Sequence, residues 1–285
     1  MNQDNGQSLN CTKRISRIGM ALWMYLFAQV ILGFLSGLPV LFGGSPSTPL
    51  IMLAAVLAGV PALALGVGIT KTRITGLKTL GSGFVPVFIR ALPMTFFFSI
   101  GFALLWMLLG AGNQSVTQGV SSWTDVVLTL LVTGLVGPVI EELFFRGFAY
   151  NCLKPYGAVF AAVISSLAFS FLHMNFSQGI AVFFFGLVFC WGYEKTGSLW
   201  LPVSLHVINN SVSVLSGYFP VFTWISLALG ALGLGVLVLM VPEIRQGWKD
   251  LMARRQLFRC MWKAPAFWLV GVVFVGVSGF LVFFS

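Results

Sequence analysis

Long apolar stretches, separated by short polar breaks, cover most of the chain. About 20 apolar residues let a helix cross the hydrocarbon core of a bilayer, and nine stretches reach or approach that length. They lie at about 18–43, 48–70, 87–112, 124–151, 157–174, 177–194, 199–217, 220–241 and 264–284. The pattern predicts an all-α fold, a polytopic transmembrane helical bundle of about nine spans and at least eight.

The breaks between these stretches carry residues that favour turns, such as GGSPSTP at 43–49 and EKTGS at 194–198. No internal repeat divides the chain, so we predict a single integral membrane domain over residues 1–285. The longer break at 242–263 is basic. Its pattern fits an amphipathic helix at the cytoplasmic headgroups and a solvated linker equally well.

Composition and charge agree with a membrane location. Hydrophobic residues make up 58% of the chain and charged residues only 8%. The net charge of +9 does not indicate a nucleic-acid partner, because the basic residues fall in alternate loops, as expected for loops kept in the cytoplasm. They are Lys13, Arg14, Arg17, Lys71, Arg73, Lys78, Arg90, Lys154, Lys195 and the cluster at 245–263.

This charge pattern predicts a cytoplasmic N-terminus, an odd number of spans and a C-terminus outside. The first apolar run follows a hydrophilic start and is too long for a cleaved signal peptide, so we expect it to be retained as a signal anchor. The length and compact loops favour a bacterial plasma membrane, with membrane lipids as partners. The oligomeric state stays open.

A few polar residues interrupt the apolar stretches. An ionisable group in hydrocarbon costs roughly 2.5 to 3.5 kcal/mol on insertion scales, so such residues usually mark a functional cavity. The chain has only seven acidic residues and two histidines. The polar residues within or near the spans are Glu141, Glu142, Arg146, His173, His206, Asn209 and Asn210.

The adjacent glutamates should have different surroundings. Glu142 and Arg146 are four residues apart, so on a helix they share a face and can form an ion pair. Glu141 is rotated about 100° from that face and has no arginine of its own. We therefore predict that Glu141 is the carboxylate available to accept a proton, whereas Glu142 is anchored. The alternative is that both acids only fix helix packing.

The histidine helices add possible hydrogen-bond donors. His206 and Asn210 are four residues apart and could together stabilise an oxygen that gains negative charge. His173 follows Phe169 by four residues, which places a ring and an imidazole on one stripe. Either histidine alone would more often be a packing residue, and only the combination with the acidic pair favours chemistry.

Together the motifs EELFFR, FSFLH and HVINN resemble the three signature motifs of the CAAX protease and bacteriocin-processing family, also called the Abi family, which includes the type II CAAX prenyl endopeptidase. The resemblance covers about residues 124–217, and no motif position departs from it. It implies an intramembrane endopeptidase that works without a metal or other cofactor. Residues 124–217 would then form its catalytic core.

Carried onto this chain, the resemblance implies that Glu141 and His173 activate a water molecule, while His206 and Asn210 stabilise the oxyanion. Glu142, Arg146 and Phe169 would support the site. The substrate would be a peptide or protein with a hydrophobic segment, and a leader, bacteriocin precursor or pheromone peptide is preferred to a prenylated protein. We expect the fourth helix to extend beyond the membrane and the cavity to open on the cytoplasmic side.

Other functions remain possible. A zinc hydrolase would normally carry a His-Glu-x-x-His run, which the sequence lacks, and the four cysteines have no paired spacing. A secondary transporter would be expected to show broken helices or an inverted repeat. The stronger alternative is a non-catalytic scaffold or regulator of another membrane protein, since the family includes members proposed to act in that way.

Overall fold

The computed structural model describes residues 2–38, 48–77, 80, 83–108 and 122–284. Within these ranges the chain forms helices and no strand, as predicted. Backbone groups inside a bilayer must be satisfied within the segment, which only a helix or a closed barrel achieves. The protein is therefore an integral membrane helical bundle.

Each of the nine predicted apolar stretches contains helix. In chain order the α-helices are α1 (Asn2–Gly37), α2 (Thr48–Leu57), α3 (Gly59–Thr70), α4 (Phe84–Leu108), α5 (Trp123–Thr129), α6 (Gly137–Glu142), α7 (Asn151–Leu153), α8 (Ala158–Leu172), α9 (Phe176–Thr196), α10 (Trp200–Ser216), α11 (Pro220–Leu239), α12 (Val241–Ala253), α13 (Phe258–Trp262) and α14 (Pro265–Phe284).

Fewer helices than nine have the length and apolarity of a membrane span. Among the described residues six do so, and a seventh is formed if the bent pair Arg255–Trp262 and Pro265–Leu281 counts as one span. Helix α8 has only 15 residues. The predicted nine is therefore a count of apolar helical segments, and the described residues give six or seven full-length spans.

The segment Trp123–Tyr156 forms one rod of 34 residues that carries the glutamate motif. Two parts of it, Leu130–Val136 and Leu143–Tyr150, are π-helical and flank the short α6. In the first, the Gly137 N–H donates to the carbonyl of Val132, five residues back. Wide turns of this kind are rare and often occur at functional sites. At about 1.5 Å per residue the rod is longer than the hydrocarbon core is thick, which accords with the expected extension.

Small residues let the other helices approach this rod and each other. A side chain at Gly66 of α3 would collide with Phe148 of the rod, and one at Gly186 of α9 would collide with Ser166 of α8. A side chain at Gly19 of α1 would meet the backbone of α14. Such close backbone contact is typical of membrane helix packing, because lipid provides no hydrophobic force between helices.

The basic break at 242–263 is helical, with α12 and α13 joined by a 3₁₀ turn, Arg255–Leu257. Helix α12 exposes Ile244, Trp248 and Met252, which are spaced four residues apart and so form an apolar stripe on one side. The segment is therefore helical, with one apolar side. Its position at the headgroups stays a prediction.

Candidate active site

The rod buries an ion pair at its centre. Arg146 Nη1 lies 2.8 Å from Glu142 Oε1, and both side chains are completely buried, which confirms the predicted pair. The guanidinium also packs on aromatic faces, with Cζ 4.7 Å from the ring centre of Phe169 and 5.1 Å from that of Phe189. An unpaired charge at this depth would cost several kcal/mol, so each member of the pair makes burial of the other tolerable.

His206 of α10 joins this pair. Its Nδ1 lies 2.8 Å from the same Oε1 of Glu142. Because an ionised carboxylate only accepts hydrogen bonds, His206 Nδ1 carries a proton and donates a hydrogen bond to Glu142. The other ring nitrogen, Nε2, lies 3.6 Å from Glu141 Oε2. Glu142 therefore fixes the orientation of His206, and His206 turns its second nitrogen toward Glu141.

Glu141 lies in a different environment from its neighbour. Its side chain is 22% exposed, whereas that of Glu142 is completely buried. The carboxylate borders a cavity of about 150 Å³, hereafter the smaller cavity. A volume of this size has room for a few water molecules, and polar groups on its walls can hold them. The walls are formed by Tyr25, Gln29, Glu141, Phe145, Phe169, Leu172 and His173.

His173 is placed by the end of α8. Its backbone N–H bonds to the carbonyl of Ser170, and its ring Nδ1 lies 3.0 Å from the carbonyl of Phe169. A carbonyl only accepts, so Nδ1 carries a proton, and in the neutral imidazole Nε2 then keeps its lone pair. The next residue, Met174, has φ 48°, a left-handed conformation that ends the helix and is unusual for a residue other than glycine.

His173 also borders a second cavity of about 230 Å³, hereafter the larger cavity. Most of its lining residues come from the last turns of α4 and α10 and the first turns of α9, which are helix ends remote from the basic loops. The sequence analysis predicts an opening at the basic, cytoplasmic side. The larger cavity instead lies at the opposite end of the bundle. Its lining residues include Phe102, Trp106, Ser177, Gln178, Phe185 and Asn210.

Asn210 borders the larger cavity and is held by the rod. Its Nδ2 donates to the carbonyl of Thr133, 3.0 Å away, within the first π-helical stretch. The second N–H of the same amide remains for a ligand. Asn209 donates weakly to Asn210 Oδ1 at 3.4 Å, while its own Oδ1 has no hydrogen-bond partner among the described residues.

Five of the predicted residues thus form one contact group: Glu141, Glu142, Arg146, His206 and Phe169. His173 joins it through Phe169, since the two rings lie 5.0 Å apart between centres, and through the smaller cavity. His206 borders neither cavity, whereas Asn210 borders the larger one. A shared oxyanion site for these two residues stays a prediction.

Metal-binding groups do not converge here. Within the described ranges, no three or more His, Cys, Asp or Glu side chains are arranged to hold a metal ion. The four cysteines are buried and free, at positions 11, 152, 190 and 260.

Sequence reasoning missed Tyr25 and Gln29, which reach the smaller cavity from α1. One signal was present in the sequence. These two residues are four apart, and therefore share a helix face, within a stretch that is otherwise almost entirely apolar.

The fold and the site define a class of protein, a helical membrane protein with two glutamates and two histidines gathered inside its bundle. Residues 123–212 match the family described as "Type II CAAX prenyl endopeptidase Rce1-like". This match, over part of the chain, confirms the resemblance to the CAAX protease and bacteriocin-processing family noted in the sequence.

Two bacterial relatives carry names that agree with this family. The chain is 27% identical to "Putative membrane peptidase YdiL" of Bacillus subtilis over 43% of its own length and 60% of that protein. It is 27% identical to "Membrane-embedded CAAX protease MroQ" of Staphylococcus aureus over 32% of its own length and 39% of that protein. The chain thus spans less than two thirds of either relative. No solved structure matches it.

Proposed function

We propose that the protein is an intramembrane endopeptidase that hydrolyses a peptide bond in a hydrophobic peptide or protein, without a metal. The observation that carries this proposal is the smaller cavity, where Glu141 and His173 line one space with room for a few water molecules. A carboxylate beside a neutral imidazole in a partly enclosed pocket is suited to taking a proton from water.

In the proposed reaction, a water molecule in the smaller cavity gives a proton to Glu141, and its oxygen attacks the substrate carbonyl carbon. The carbonyl becomes a tetrahedral oxyanion. The carbon–nitrogen bond then breaks, and the proton passes from Glu141, or through His173, to the leaving amine. His173 borders both cavities, so the scissile bond would lie beside it.

The remaining motif residues support this step. Asn210 would use its free amide N–H to stabilise the oxyanion, and His206 would assist when both of its ring nitrogens are protonated, so that Nε2–H can donate. Glu142, itself paired with Arg146, keeps Nδ1 of His206 protonated and fixes the orientation of the ring. Phe169 packs against Arg146, His173 and His206 and so fixes the spacing of all three.

The proposed substrate is a peptide with large apolar side chains. The larger cavity has a volume of about 230 Å³, below the roughly 300 Å³ at which pockets for whole small molecules begin, which suits one or two side chains better than a long lipid chain. Its wall combines aromatic rings with Ser177 and Gln178, which could bond the peptide backbone. The preferred class is a bacterial leader or secreted peptide.

We also propose that the protein lies in a bacterial plasma membrane with its N-terminus in the cytoplasm and membrane lipids around it. Residues 124–217 form the catalytic core of a single domain. The basic segment at 242–263 rests on the cytoplasmic headgroups. There the exposed Ile244, Trp248 and Met252 of α12 enter the lipid, while Arg245 and Lys249 meet anionic groups.

The test compares cells that carry the wild-type protein with cells that carry Glu141→Gln, at matched membrane levels. Mass spectrometry of membrane and secreted peptides should reveal products that only the wild type generates. The purified proteins, assayed with and without a strong chelator, should show the same difference, and the chelator should have no effect. If Glu141→Gln preserves both the products and the cellular phenotype, the protein acts as a scaffold or regulator.

A further inference from the structure

The first helix completes the wall of the smaller cavity opposite the motif residues. Tyr25 and Gln29 of α1 both line it. Their neighbours Phe27 and Val30 are 62% and 70% exposed, as expected for lipid-facing residues, whereas Tyr25 is only 2% exposed. The two polar side chains thus lie on the inward stripe of an otherwise apolar helix, outside the segment 123–212 that carries the family match.

Tyr25 is held rigidly by its surroundings. Its ring packs edge-on against Phe144, with 5.6 Å between ring centres. Gly59 of α3 lies so close that an added Cβ would be 3.0 Å from the Tyr25 hydroxyl oxygen and would collide with Ile140, next to Glu141. The absence of a side chain at position 59 therefore lets the hydroxyl and the glutamate segment approach the same helix.

The hydroxyl has no hydrogen-bond partner among the groups that the structure describes. A buried tyrosine hydroxyl normally finds one. Because Tyr25 borders a cavity that Glu141 and His173 also line, a molecule within that cavity would supply the missing partner. Gln29 is bonded only weakly, through Nε2 to the carbonyl of Ala55 at 3.5 Å, so its amide also has capacity for that molecule.

We propose that Tyr25 is a further catalytic residue and that Gln29 is a positioning residue beside it. This inference rests on the proposed peptidase function. The attacking water donates one hydrogen bond to Glu141 and one to Nε2 of His173, and it accepts one from the Tyr25 hydroxyl. Three bonds are typical of an enclosed water. They leave one lone pair of the oxygen for the carbonyl carbon, and Tyr25 neither gains nor loses a covalent bond.

The experiment uses the full-length protein in lipid nanodiscs and a mixed-sequence pool of internally quenched fluorogenic hydrophobic peptides. Tyr25→Phe keeps the ring and its packing on Phe144 but removes the hydroxyl. We expect kcat to fall by about 10- to 100-fold, with KM changed less than about twofold and the thermal midpoint unchanged, because a bond used in the transition state is lost.

Tyr156→Phe is the matched control, because Tyr156 is a buried tyrosine that borders neither cavity. It should leave kcat at the wild-type value. Replacing Tyr25 with 3-fluorotyrosine keeps the shape and makes the hydroxyl more acidic, so kcat should decline at a lower alkaline pH than in the wild type. A purely structural tyrosine would leave that profile unmoved.

Glu141→Gln separates this inference from the function on which it rests. If the wild type cleaves the pool and Glu141→Gln does not, wild-type kcat in Tyr25→Phe or an unchanged profile in the fluorotyrosine protein overturns the role of Tyr25 alone. If Glu141→Gln cleaves as fast as the wild type, the peptidase proposal itself fails.

Discussion

The two ends of the bundle are built differently. At the end with the basic loops, polar groups tie the helices together: the Tyr150 hydroxyl donates to Glu194 at 2.6 Å, Lys154 lies 2.7 Å from the same carboxylate, and Arg14 donates to the carbonyl of Cys152 at 2.8 Å. The opposite end contains the larger cavity and buried polar atoms without partners in the described ranges, such as Asn209 Oδ1 and Trp106 Nε1.

We infer from this difference that the basic end mainly stabilises the fold and the opposite end mainly serves the reaction. Satisfied polar ties stabilise the contact between helices, whereas unsatisfied polar groups beside a cavity suit a ligand that would complete them. Substitutions at the basic end should therefore lower the stability of the fold and leave activity unchanged. Substitutions at the end with the larger cavity should lower activity and leave stability nearly unchanged. The buried ion pair lies between the two ends and should affect both.

The largest effect is expected from Arg146→Met. The substitution removes the cation that neutralises the buried charge of Glu142 and leaves only the hydrogen bond from His206, which should lower the free energy of unfolding by about 3 to 5 kcal/mol and abolish activity. Denaturant unfolding in mild detergent measures the first quantity, and cleavage of the fluorogenic pool measures the second.

The double variant Glu142→Gln with Arg146→Met is the control for that change. Removing both charges should recover much of the lost stability, whereas activity should stay low because His206 loses the carboxylate that orients it. Full activity in the double variant would contradict the orienting role of Glu142.

Asn210→Ala tests the end of the bundle that contains the larger cavity. Loss of one oxyanion donor is expected to reduce kcat by about 100-fold, with little change in the unfolding midpoint. Asn151→Ala is its counterpart at the basic end, where the amide donates to the carbonyl of Gly147 and to the Tyr193 hydroxyl. That variant should unfold more easily and retain its kcat. If Asn210→Ala instead lowered stability and Asn151→Ala lowered kcat, the assignment of different roles to the two ends would be wrong.

Glu194→Gln tests the ties at the basic end. Its side chain is 38% exposed, so solvent screens the ion pair with Lys154, and the free energy of unfolding should fall by less than about 1 kcal/mol. Thermal unfolding at low and high salt should show a difference from wild type that shrinks as salt rises. A clear loss of peptidase activity would instead connect this end with the chemistry.

The smallest perturbation is Ser177→Cys, which tests the side of the membrane to which the larger cavity opens. Ser177 borders the larger cavity, and the four natural cysteines are buried, so background labelling should be low. A membrane-impermeant maleimide should label this residue in intact cells, whereas Lys249→Cys, exposed on α12, should react only after the cells are opened. Labelling of Ser177→Cys only in opened cells would restore the cytoplasmic opening that the sequence led us to expect.

Much of the fold follows from the sequence, because hydropathy alone locates apolar helices. The Glu142–Arg146 pair also follows, since a spacing of four residues places two side chains together in nearly any helix. The contact between His206 and both glutamates depends on the packing of α10 against the rod, which spacing within one helix does not determine. The shared family motifs were the only sequence signal for it.

Other features had no usable signal or were overlooked. The residues of the two π-helical stretches do not distinguish a π-helix from an α-helix, so the sequence predicts a periodicity of 3.6 residues throughout. The cavities are set by gaps between helices that are distant in sequence. The polar pair Tyr25 and Gln29 was visible in the first apolar stretch, but nothing in the sequence connected α1 with a glutamate more than a hundred residues away.

The two wide turns give the glutamate rod places where its length can change without altering which faces point inward. A π-helical stretch holds one residue more than the α-helix that would replace it, so removing one residue from Leu130–Val136 or Leu143–Tyr150 should restore regular α-helix with the flanking faces nearly in register. Removing one residue from α6, between the two stretches, would instead rotate one side of the rod by about 100° relative to the other. Single-residue deletions in α6 should therefore be more harmful than deletions in either π-helical stretch.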